Sequence, residues 1–133
     1  MSYNVTLIGQ TFPDFNLTFS ISDTITDTDA VLGLAVCQDA ASANTVKLAT
    51  DGSEILGRIL VCENGVSQGE GPVVTVERVG GIKLPIAASE TIAVGDEVVG
   101  AAGGKVRKKK ADSDTVKGLK VWEVGSDFVV VLI

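Results

Sequence analysis

Residues 92–112 read IAVGDEVVGAAGGKVRKKKAD. Gly95-Asp96 predicts a tight turn into a strand, in which Val98 and Val99 pack. The glycine-rich run Gly100–Gly104 predicts a chain reversal. Lys105 to Lys110 then form the returning arm. Two chemical readings of this stretch fail on specific residues. A phosphate loop of the kind "GAAGGK" suggests needs Ser or Thr after the lysine and then a helix. Val106 follows instead, in a strand-like run. A nucleic-acid grip at "KVRKKK" needs interleaved aromatics or an overall positive charge, and the chain carries a net charge of −6. On a strand, Lys105, Arg107 and Lys109 point one way, and Val106, Lys108 and Lys110 the other. The stretch reads as a hairpin in a packed β domain, its lysines guarding an exposed edge against stray pairing.

Working outward, strands follow one another along the chain. YNVTLIG (3–9) and FNLTFSIS (15–22) alternate partially around a turn-like TFPDF. VLGLAVC (31–37) is a continuous apolar run of strand length. TVKLAT, ILGRILVCE, PVVTVERVG, GIKLPI, TVKGLKVWEVG and DFVVVLI complete the series, with turn residues between them. Short strands with turns every 8–12 residues predict an all-β fold, a small barrel or sandwich, with at most one short helix at DAASANTVKLA (39–49). A chain of 133 residues is expected to form one domain. Within it, residues 1–30 are set apart as a strand-like leading segment from a barrel-like body at 31–133.

Composition narrows the function. The apolar fraction is 45% but aromatics are only 5%, so the core is expected to be Val, Ile, Leu and Ala. No apolar run approaches the roughly 20 residues that span a bilayer. The opening MSYNVTLIGQ shows no basic, cleavable leader pattern. Neither a membrane nor nucleic acid is an expected partner of so acidic a chain. Cys37 and Cys62 sit in apolar runs and are read as reduced, buried small hydrophobes. There is no histidine, which removes the commonest general base and metal ligand. No residue is assigned a catalytic, cofactor-binding or metal-binding role, and the chain is not expected to be an enzyme. Asp23, Asp27 and Asp29 in DTITDTD alternate as calcium ligands do, but the central glycine and distal glutamate of an EF-hand are missing. A lipoyl-type carrier would need a lysine at the tip of TDGSE, where none stands.

Charge is unevenly spread. Asp14, Asp23, Asp27, Asp29 and Asp39 precede the first basic residue, Lys47, while seven of the eleven bases lie from Lys105 to Lys120. These segments are either two solvated faces or the complementary ends of an oriented assembly. A loose internal echo is also present. TVKLATDGSEILGRILVCENG lies over KVRKKKADSDTVKGLKVWEVG about 60 residues on, each a strand, an acidic turn and a second strand.

The order of these elements resembles the decoration, or capsid cement, proteins of tailed phages. Ile92, Gly95, Asp96 and Val98 carry one motif; Gly104, Lys105 and Val106 carry a second. Val116, Gly118 and the closing run Val129–Ile133 carry a third. The likeness covers about three quarters of the chain. It departs at LKVWEVG, where such proteins are alanine-rich, and in the strand-like first thirty residues. The resemblance implies a barrel of the β-tulip type and a structural protein on the outer surface of the virion capsid. It implies the major capsid protein as partner, with self-association into a homotrimer. Tyr3, Val5, Leu7, Phe12 and Phe15 are then the expected capsid contacts, and Val121, Trp122, Lys105 and Arg107 the expected subunit interface. The rivals are a GroES-like co-chaperonin, suggested by GGIKLP and VGD, and a fibre-base or tail component.

Overall fold

Where apolar and polar residues alternate, the chain forms strands with one buried side. In Val73–Glu77 the valines at 74 and 76 face inward, and in Gly81–Pro85 Ile82 and Leu84 do. The structure is a computed structural model that describes residues 16–63 and 72–133. Ten strands run through it: β1 Asn16–Ile21, β2 Ala35–Gln38, β3 Thr45–Leu48, β4 Gly57–Glu63, β5 Val73–Glu77, β6 Gly81–Pro85, β7 Glu97–Ala101, β8 Lys105–Lys108, β9 Leu119–Val124 and β10 Phe128–Leu132. The fold is all-β, and no helix occurs among the described residues. Residues 39–44 turn and residues 45–48 are β3, so the sequence considered for a helix is hairpin instead. β2 is shorter than the apolar run at 31–37, because residues 30–33 turn, with Gly33 at φ 83°.

The first five strands close a barrel in the order β1-β3-β2-β4-β5. β5 returns antiparallel to β1, and β1 lies parallel to β3. The part of the leading segment that is described is therefore barrel wall, since Asn16–Ile21 pairs on both sides. The last five strands form a second sheet, ordered β6-β10-β9-β7-β8. Its two edges approach through a parallel bridge between Ile86 and Val106.

The two halves are one unit built twice. Read from the other edge, the second order repeats the first strand for strand, with β6 to β10 standing for β1 to β5. Every pairing keeps its direction. Ile21 bridges Val46 in parallel as Ile86 bridges Val106. Gly33 donates its N–H to the Ile59 carbonyl and Gly95 to that of Val121, at 2.8 and 2.9 Å. Ala49 donates to Ala35 as Lys109 donates to Glu97, at 3.0 and 2.8 Å. Even the bulge recurs. Leu60 is the extra residue where β4 meets β5, and Trp122 where β9 meets β10. The echo legible in the sequence falls on β3–β4 and β8–β9, one part of this repeat.

Each half has its apolar cluster. Ile21, Val36, Val46, Ile59, Val74 and Val76 fill the first barrel. Ile82, Leu84, Val98, Val106, Val121 and Val129 build the second, joined there by Ala35, Ala49 and Ile55 from the first half. Each fully buried Val, Ile or Leu contributes roughly 1.5–3 kcal/mol. The shared cluster makes the two halves one body.

Candidate functional site

The halves meet head to tail. Ala35 donates to the Gly104 carbonyl at 2.7 Å, and Gly104 donates back to that of Ala49 at 3.1 Å. Gly52 and Gly100 exchange a similar pair: Gly52 donates to Gly100 at 2.9 Å, and Gly100 to Ser53 at 2.8 Å. Glycine is required at 100, where a Cβ would lie 2.7 Å from the Thr50 carbonyl oxygen. At Gly104 (φ 81°) a Cβ would lie 2.9 Å from that of Leu34. The loop after β3 thus seats itself on the β7–β8 hairpin, and Ala35, Ala49 and Ile55 cover the end of the second sheet.

An ion-pair clamp fixes this junction. Arg107 on β8 donates from Nε to Asp51 Oδ1 at 2.7 Å, and from Nη1 and Nη2 to the two carboxylate oxygens of Asp114 at 2.8 and 2.9 Å. Asp114 also accepts from the Lys110 N–H at 2.6 Å. Arg107 is only 7% exposed. The bidentate contact with Arg107, then the Lys110 N–H, lowers the Asp114 carboxyl to about 2. The two carboxylates hold the guanidinium above its ordinary range. Asp51 and Asp114 lie in the two acidic turns of the echo, the signal that would have located the clamp. Read from the sequence, Arg107 sits on the lysine-rich edge strand and among the expected subunit contacts, and a buried ion pair is not anticipated. β8 is an edge, but its Arg107 is tied to residues from both halves.

The first barrel is not covered in the same way. Ile82 and Leu84 on β6 are fully buried. Their counterparts on β1 are Leu17, 43% exposed, and Phe19, half-buried. A cavity of about 340 Å³ opens there, lined by Leu17, Phe19, Val46, Leu56 and Arg78 among others. A second, of about 180 Å³, shares Leu17 and Arg78 and continues to Val79 and Ile133. Together they form a groove along β1 in which apolar side chains alternate with Gln38, Asn44, Thr45 and the cation of Arg78. A third cavity, about 280 Å³, lies between the halves. Its cations are engaged: Arg58 Nε is 2.7 Å from Glu77 Oε1, and Lys83 Nζ stands 4.0 Å over the Phe128 ring.

The residues singled out in the sequence are scattered. Tyr3, Val5, Leu7, Phe12 and Phe15 lie outside the described residues. Of the four expected at a subunit interface, Val121 points into the core at 1% exposure and Arg107 is held in the clamp. Trp122 is 59% exposed at its bulge, and Lys105 is on the surface. Trp122 is therefore no core residue. Asp23 accepts from the Leu48 N–H at 2.6 Å, and Asp27 from that of Asp29 at 3.0 Å. Their carboxylates brace turns, and the described residues contain no cluster of three or more metal-ligating side chains. Cys37 and Cys62 are buried and unpaired. The groove itself left no mark in the sequence, since Leu17 and Phe19 alternate like any core-facing pair.

Compared with models of known families, with curated proteins and with solved structures, the chain matches none.

Proposed function

We propose that the protein is a structural component of a tailed-phage virion, a decoration protein that binds the outer surface of the capsid and stabilises it. The observation that supports this most is the groove of the first barrel, where Leu17 is left exposed among the described residues. Ionisable groups brought together elsewhere are spent on holding the fold, as in the Arg107 clamp. The motifs that carry the resemblance to cement proteins fall on elements that build the scaffold: the Gly95 turn, the β7–β8 hairpin, the loop into β9 and the closing strand β10. On this reading the chain is not an enzyme, needs no cofactor, and its partners are the major capsid protein and itself. Each copy need contribute only a few kcal/mol, because many copies act on one shell.

The experiment is binding to expanded heads of a tailed phage, assembled from its major capsid protein. Co-sedimentation at saturating stoichiometry, with trimeric protrusions at three-fold and quasi-three-fold positions, is the expected result. Heads that stay bare, with capture instead by a chaperonin ring, sink the proposal. Single-subunit protrusions at hexamer centres remove the trimer alone.

A further inference from the structure

We draw no further inference here: the strongest candidate, the surface patch in the second half where the Gly95–Val121 hydrogen bond sets exposed Val94 beside exposed Trp122 at the bulge of β9, is an unpartnered apolar face, and nothing in the structure shows what covers it.

Discussion

Arg107 and Asp114 meet fork to fork, Nη1 to Oδ2 at 2.8 Å and Nη2 to Oδ1 at 2.9 Å, across a turn of the second half. The pair gives stability a defined pH dependence. Asp114 titrates near 2 in the folded chain and near 3.9 when unfolded. Its contribution is complete above about pH 5 and is lost as pH falls through about 2. Urea unfolding midpoints are expected to drop through that window. In Asp114→Asn the midpoint is lower at neutral pH, and this share of the drop disappears. A variant with the parent's acid profile refutes the assignment.

Arg107→Lys keeps the charge but cannot hold Asp51 and Asp114 together in planar geometry. We expect a loss of roughly 1–3 kcal/mol, read as a lower melting temperature. A neutral result would mean that the clamp is dispensable.

Gly100→Ala drives a methyl against the Thr50 carbonyl and the Ser53 hydroxyl. The loop must retreat and the junction loosen, at a cost of roughly 1–3 kcal/mol. Amide exchange should quicken at Gly52 and Gly100 together, whose N–H groups cross the junction. Unchanged exchange at both would show that the loop is not seated there.

Neighbours on β9 should behave in opposite ways. Val121→Ala opens a cavity in the second cluster and costs roughly 1–3 kcal/mol. Trp122→Ala, on the surface, should move the melting temperature of the monomer little. Any self-association that uses Trp122 will weaken in that variant, as sedimentation measures. Equal thermal losses in the two variants would contradict the burial pattern.

Cys37 and Cys62 should resist thiol reagents in the native state. Both are buried, and burial followed by the nearby Glu63 charge pushes the Cys62 thiol up. Labelling should proceed at the rate of opening, and so vary with urea. Rapid labelling of both thiols in water would show a looser first barrel.

Much of the second half was legible because its signals are local. The Gly95 turn, the packed Val98 and Val99, and the reversal read at Gly100–Gly104, which falls at 102–104 because Gly100 and Ala101 stay in β7, each depend on a few adjacent residues. Closure of the first barrel was not legible. It rests on β1 lying parallel to β3, with a whole strand between them in the chain, and periodicity cannot choose between such partners. The burial of Arg107 was not legible for a related reason. Alternation assigns a side chain to a face but does not reveal the loop that covers it. The repeat was only partly visible because turns of different length interrupt it. Its matched positions share hydrogen bonds more than residue types, as Ala35 and Glu97 illustrate.

The placement of Ala35, Ala49 and Ile55 also sets a direction in time. The first barrel draws its wall and its interior from residues that leave the ribosome early. The second sheet needs those three side chains, already in place, to complete its own interior. Synthesis then delivers a finished template before its dependent, and β6 to β10 condense on a surface waiting for them. Chains cut after β5 should keep a folded barrel, whereas β6 to β10 made alone should remain uncondensed, with Ile82 and Leu84 in water.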